Sequence, residues 1–589
     1  MTTMNNVTDS MSSLANNFTF GAVDYTVFTL LLVISAVIGV YFGFFSGDND
    51  TTDEYLLGGK RMKPWPVAVS LVSSQLSAAS VVTIPAELYA YGISFTFMIL
   101  SVIFVVPIIC FVVVPVFYNN NISNCYEYLQ LRFNKQTRQL VTFSFVCSIF
   151  LLLPIFTFIP ALAFSQVTGF NIHLINAIVS SICIFYTMFG GIKAVVWTDV
   201  VQAAVMFISI VLVSTMGIIK VGGLDTVFER ALNGGRLDVN WSMDLRARTS
   251  FISCFVGGLC LWTKNIGFNQ TCVQRLSALP SLRDARKCLV YFLCIFIGVM
   301  FFNCLTGIVM FSKYFDCDPV TAGIVEKPDK LVPYYVQDIV GHWKGMPGVF
   351  ISCVFSAALG SMSATLNTLA GICYFDYVKP FIRHTEQKAN LVMKMIVFIT
   401  GVYCVMAGFV VEKSSSIIQS VFTISGITYG ATLGVFLLGL LVPKAHGKAA
   451  LIGFISGVIL MVGLISVTQY RIQVGEINYK TLPARVDGCD RLNVTLHSSI
   501  FTENASSVVS EVREYPEEFS IFDISFSWYK FIGMILVWAI AIPLSFIIPN
   551  NKKLDPKLIS PVISQFVRYN PVKTDDCILK EKEMESMMR

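Results

Sequence analysis

Apolar residues in this chain come in blocks of about twenty, the length of helix that crosses a hydrocarbon core. The blocks fall near residues 25–46, 65–87, 93–118, 139–167, 172–190, 195–220, 250–270, 288–312, 346–373, 390–411, 415–442, 449–468 and 527–549. They predict an all-α polytopic membrane protein with about 13 transmembrane helices. Three of the blocks break their own pattern with polar residues.

The second block opens with Ser70, Ser73, Ser74, Gln75, Ser77 and Ser80, followed by Thr83, Pro85 and Glu87. A span this polar, with a proline in it, is expected to be buried and interrupted, so that freed carbonyls face a cavity. In the seventh block Gly257-Gly258 precede Trp262-Thr-Lys-Asn-Ile-Gly-Phe-Asn-Gln270, again polar and glycine-interrupted. Interrupted helices in corresponding positions of two halves are the mark of repeat-built transporters, whose broken helices meet at a midplane site. The ninth block contains Val354–Leu369, where Ala357, Gly360, Ser361, Ala364, Thr365 and Thr368 share one helix face. Two readings of that face stand. It permits close helix packing, or it sets oxygen atoms at membrane depth for a hard cation such as Na⁺.

Composition agrees. The 589 residues are 55% hydrophobic and 13% charged, about half the charged fraction of a soluble protein. Residues 1–24 lack a basic segment followed by an apolar one, so no cleavable signal peptide is expected. Basic residues cluster after the odd-numbered blocks: Lys60, Arg61 and Lys63; Arg132, Lys135 and Arg138; Arg275, Arg283, Arg286 and Lys287; Lys379, Arg383 and Lys388; Lys444 and Lys448. This predicts a multi-pass plasma-membrane protein with its N-terminus outside and C-terminus cytoplasmic. The sequons at Asn6, Asn17, Asn493 and Asn504 then lie outside and are candidate glycosylation sites, whereas Asn121 lies inside. Most of the 16 cysteines sit in apolar blocks. Cys317 and Cys489 fall in outer loops, where a disulfide can persist, but the sequence does not pair them.

The expected organisation is an extracellular N-terminus (1–24), an extra first helix (25–46), a first repeat (65–220) and a second repeat (250–442). Two C-terminal helices (449–549) with an extracellular loop (469–526) follow, then a cytoplasmic tail (550–589). No nucleophile motif, phosphate loop or paired-carboxylate arrangement appears, so no enzyme activity, organic cofactor or nucleic-acid partner is expected. The expected partners are Na⁺, a small organic solute and membrane lipid.

Several motifs resemble those of the sodium/solute symporter family: Tyr55-Leu-Leu-Gly-Gly-Lys-Arg61, Ser70-Leu-Val-Ser-Ser-Gln-Leu-Ser-Ala78, Tyr126-Glu-Tyr-Leu-Gln-Leu-Arg-Phe133, Gly190-Gly-Ile-Lys-Ala-Val-Val-Trp-Thr-Asp199 and Asn269-Gln-Thr-Cys-Val-Gln-Arg275. The resemblance runs from about Tyr25 to Ile548. Cys317-Asp-Pro319 and Pro328-Asp-Lys-Leu-Val-Pro333 resemble the animal branch that carries monocarboxylates, vitamins and iodide. It implies a leucine-transporter-type 5+5 inverted-repeat core. It also implies a sodium site formed by the carbonyls of Ser73, Leu76 and Ala357 and the hydroxyl of Ser361. The family usually has a second hydroxyl where this chain has Gly360, and the branch often has another at Ala364; water or Ser77 is the expected substitute. Asp199 corresponds to a residue of cation coupling or exit. Its alternative reading is a helix-start carboxylate pairing with Lys193.

Family substrate positions map onto Ser80, Trp262, Asn265 and Gln419. Ala79 and Ser80 lack the hydrogen-bonding side chains of sugar carriers, and Asn265 lacks their aromatic gate, so a hexose is disfavoured. Trp262 reads either as cavity lining or as ordinary core. Lys264, which the family does not usually have, reads as a partner for an anionic substrate, as a salt bridge to a carboxylate such as Glu87, or as a snorkelling side chain. The function expected is Na⁺-coupled import of a small organic solute, an anion such as a monocarboxylate or vitamin, by alternating access. A solute-gated Na⁺ leak channel or sensor on the same fold is the alternative.

Overall fold

A computed structural model describes residues 20–45, 52–325, 330–381, 385–412, 417–477, 479, 481–489, 520–548 and 555–565. The long helices are α1 (Ala22–Val40), α2 (Pro64–Gln75), α3 (Ala78–Tyr91), α4 (Ile93–Asn119, in short segments), α5 (Lys135–Thr168), α6 (Ile172–Val221) and α7 (Phe251–Trp262). After them come α8 (Gln270–Ser277), α9 (Leu282–Lys313), α10 (Met346–Cys373), α11 (Glu386–Val411), α12 (Ile417–Leu441), α13 (Gly447–Val474) and α14 (Tyr529–Ile547). Among the described residues these make up to 12 candidate spans when each bent pair counts once. The count reaches the expected thirteen when the 50-residue α6 supplies two, since it bends at Gly191 (φ 56°).

Both expected interruptions are present. α2 and α3 meet at 62°, and α7 and α8 at 46°. The first break has a local cause. Leu76 leaves the helix at φ −91°, ψ 100°. The Ser77 amide turns to Ser80 Oγ (3.2 Å), and Ser77 Oγ accepts from the Ser80 amide (3.3 Å). This capping box starts α3 afresh and releases the Ser73 carbonyl from the helical ladder. In the second pair, a π turn over Thr263–Gly267 follows Trp262, and Asn269 caps α8 by accepting from the Thr271 amide at 3.1 Å.

α10 is almost wholly buried and packs against α6, α5, α1, α11 and α2. α14 packs on α12 and α13 and reaches α7. At one end of the molecule Cys317 and Cys489 form a disulfide. The same strand of chain runs over α3: the Leu482 amide donates to Ala90 O at 2.9 Å, and Arg236 donates to Tyr89 O and Pro483 O at 3.0 and 2.6 Å.

Arg132 and Arg275, both expected in cytoplasmic loops, lie inside. Arg132 is buried and donates to the carbonyls of Gly439, Val442 and Ala445 at the end of α12, at 2.8–2.9 Å. Arg275 is buried on α8. Asn121 is exposed, and the sequon residues Asn6, Asn17, Asn493 and Asn504 lie outside the described residues.

Candidate functional site

The α2–α3 break, the end of α7 and the face of α10 enclose a cavity of about 230 Å³, closed on its far side by α5, α12 and α14. At the break, Ser361 Oγ of α10 lies 3.3 Å from Leu76 O and 3.0 Å from Ala357 O. The freed Ser73 carbonyl belongs to the same turn. An all-oxygen cluster of one hydroxyl and backbone carbonyls suits a hard monovalent cation. Ser361 also lines the cavity, so cluster and cavity share a wall.

Beside the cluster, Gly360 has no side chain, and the Ser73 hydroxyl fills that space: a Cβ at Gly360 would overlap Ser73 Oγ and lie 3.3 Å from both Asp199 Oδ1 and Gln202 Oε1. Ser73 Oγ, Asp199 Oδ1 and both side-chain polar atoms of Gln202 are buried without a hydrogen-bond partner among the described residues. The Oγ of Ser77, which with water was an expected substitute hydroxyl, caps α3, 3.0 Å from Ser80 Oγ, and Ser77 also lines the cavity.

Asp199 is buried on α6, eight residues beyond the Gly191 kink that separates its two spans. It accepts from Ser70 Oγ at 2.6 Å and from Arg275 Nη2 at 3.0 Å, and Arg275 Nε donates to Ser70 Oγ at 2.7 Å. The expected pairing with Lys193 is therefore wrong, since Lys193 is bound to Glu54.

Ser80, Trp262 and Asn265 all line the cavity. The Trp262 indole N–H donates to Met98 O at 2.9 Å and its ring packs edge-on to Phe296 at 4.8 Å, so one residue serves as both core and wall. Gln419 lies on α12, but its side chain is outside the described residues.

Lys264 does not line the cavity. It is 2% exposed, which excludes snorkelling, and Glu87 is held by Arg248 at 2.8 and 3.1 Å, which excludes that salt bridge. Its ammonium sits 3.5 Å from the ring centroid of Tyr429, a cavity-lining residue. Lys264 thus stands behind the Tyr429 ring, as a cation against its face, and not on the cavity wall itself.

Residues 55–457 match the model of the sodium:solute symporter family. The chain belongs to that family. Mouse sodium-coupled monocarboxylate transporter 2 is 34% identical to this symporter over 552 residues, 93% of the chain and 87% of the relative. Human sodium-coupled monocarboxylate transporter 1 is 33% identical, covering 92% of the chain and 90% of the relative. A putative sodium-dependent multivitamin transporter of Drosophila melanogaster is 32% identical, covering 88% and 85%. A solved Na⁺-coupled sialic acid symporter, substrate-bound and outward-open, aligns with a TM-score of 0.73 at 22% identity, over 91% of this chain and 100% of that one. The fold of this symporter is thus the leucine-transporter type, in a multi-pass membrane transporter and not an enzyme.

Sequence reasoning missed several wall residues of the symporter. Thr271 adds a hydroxyl beside Thr365, already named on the α10 face, and Ser425, Tyr429 and Lys530 close the far side. Thr271 lay in a stretch already singled out as polar. Lys530 had no such signal, because it follows Trp528-Tyr529 at the edge of an apolar block and reads as an interfacial anchor.

Proposed function

We propose that this symporter couples inward movement of Na⁺ to uptake of a small organic anion of the monocarboxylate or vitamin class, by alternating access at the plasma membrane. The carrying observation is that Ser361 belongs both to the oxygen cluster with Leu76 and Ala357 and to the cavity wall. Na⁺ bound to Ser73, Leu76, Ala357 and Ser361 would tie α10 to the α2–α3 break and shape the wall the solute meets. Binding that favours one conformer shifts the population toward it by the difference in affinity. Each charge carried inward adds roughly 2.3 kcal/mol per 100 mV of membrane potential.

The anionic cargo is supported by the described cavity wall, which contains no carboxylate, and by the monocarboxylate transporters among the relatives. Asp199, paired with Arg275 within reach of the cluster, is assigned to cation coupling. Ser80, Trp262, Asn265 and Gln419 are assigned to the solute, and Lys264 to the positive potential behind Tyr429. In this reading the segments 65–220 and 250–442 are the two repeats, the N-terminus is outside, and Asn6, Asn493 and Asn504 carry glycan. A competition panel on expressing cells tests it, with monocarboxylates, vitamins, halides, sugars and polyols against labelled butyrate. Na⁺-dependent uptake blocked by monocarboxylates or vitamins alone is expected. Solute-evoked Na⁺ current without accumulation would make the protein a gated leak instead.

A further inference from the structure

Lys530 is the one charged side chain among the described residues that line the cavity. It lies on α14, C-terminal to both proposed repeats, and is 3% exposed. Its place is rigidly set. α12 presents Gly426, Gly430 and Gly434 to α14, and a Cβ at Gly430 would lie 2.6 Å from Lys530 O and 2.9 Å from Gly533 Cα. The two backbones touch there, as small-residue faces allow in membranes. Lys264, behind Tyr429, adds a second buried cation on the same side. An ammonium at membrane depth is costly and marks a pathway for an ion or solute. Much of the remaining wall is apolar, with Phe95, Ile99, Ile149 and Phe156.

We propose that Lys530 holds the carboxylate of the transported solute, so that α14 forms part of the substrate site and the cargo is a monocarboxylate whose remainder is apolar or aromatic. This rests on the functional reading above and names its specificity determinant. A head group held by Lys530 leaves the carbon chain against the apolar wall, which favours unbranched acids over hydroxylated ones.

The test compares wild type, Lys530→Gln and Lys530→Arg in cells, using labelled butyrate with Na⁺ outside, unlabelled acids from acetate to hexanoate, and butyramide as competitors. Surface density is measured for each. Losing a charged hydrogen-bond partner should raise half-saturating butyrate between about tenfold and a hundredfold in Lys530→Gln. It should also collapse the preference for butyrate over butyramide, while half-saturating Na⁺ at saturating butyrate stays unchanged. Lys530→Arg should keep the acid preference but shift the favoured chain length, because a planar guanidinium is larger than an ammonium. Should Lys530→Gln fail to reach the surface, Lys530→Arg decides: wild-type half-saturation at every chain length overturns the assignment. Normal butyrate affinity in a surface-expressed Lys530→Gln overturns it too. Wild type without Na⁺-dependent butyrate uptake, and without competition by any acid, overturns the functional reading instead.

Discussion

Ser73 and Gly360 make one prediction that neither residue makes alone. From sequence, Gly360 looks like a missing hydroxyl, and a serine there should leave Na⁺ affinity equal or better unless the site is already complete. The structure favours the exception. The Ser73 hydroxyl already stands where a Cβ on Gly360 would go, facing Asp199 Oδ1 and Gln202 Oε1. Gly360→Ser adds two heavy atoms to filled space, an overpacking worth about 1–3 kcal/mol. Ser73→Ala removes a buried hydroxyl that has no hydrogen-bond partner among the described residues. If that hydroxyl serves the cation region, its loss costs about 1 kcal/mol, roughly a fivefold rise in half-saturating Na⁺. In the double variant the new serine enters the space Ser73 vacates. The two penalties should then largely cancel, with a coupling of about 1–3 kcal/mol. The assay is Na⁺ activation of butyrate uptake in all four members of the cycle, each normalised to surface density. Additivity within about 0.5 kcal/mol would refute the exchange of one hydroxyl for the other.

Three further outcomes are expected. Ser361→Ala should raise half-saturating Na⁺ about tenfold, the loss expected for a charge-assisted contact, at normal surface density; unchanged activation would remove Ser361 from the site. Arg275→Gln leaves Asp199 as an unpaired charge 0% exposed and should destabilise the protein by about 3–5 kcal/mol, seen as a lower melting temperature in detergent. Asp199→Asn combined with Arg275→Gln should recover much of that, and no recovery would show that the pair is not the unit. Asn493→Gln with Asn504→Gln should remove a glycan mobility shift that Asn121→Gln leaves intact; the opposite pattern would invert the assigned orientation.

What was legible in the sequence followed from local chemistry. The α2–α3 break was visible because serines that compete for backbone hydrogen bonds interrupt an apolar block, and Ser77 and Ser80 do cap the new helix. The oxygen face of α10 was visible from helical spacing, and it meets Leu76 where the resemblance placed it. Pairings between distant segments were not legible. Asp199 looked outward to the nearby Lys193, while its partner Arg275 is 76 residues away on α8 and had been counted as a cytoplasmic charge. Lys264 carried the signal of a buried cation, but periodicity does not say which side of Tyr429 it takes. Lys530 was hidden by its neighbours, since an aromatic pair before a lysine at a span end is the usual pattern of an interface.

Under the proposed function, Na⁺ moving down its gradient drives an organic anion up its own. The direct measurement uses the purified protein in sealed liposomes, with Na⁺ outside, K⁺ inside and labelled butyrate in the bath. Butyrate should overshoot its equilibrium distribution, a Na⁺ ionophore should abolish the overshoot, and a negative interior should enhance it if more than one Na⁺ accompanies each anion. Butyrate that merely equilibrates, at a rate indifferent to the Na⁺ gradient, would contradict it.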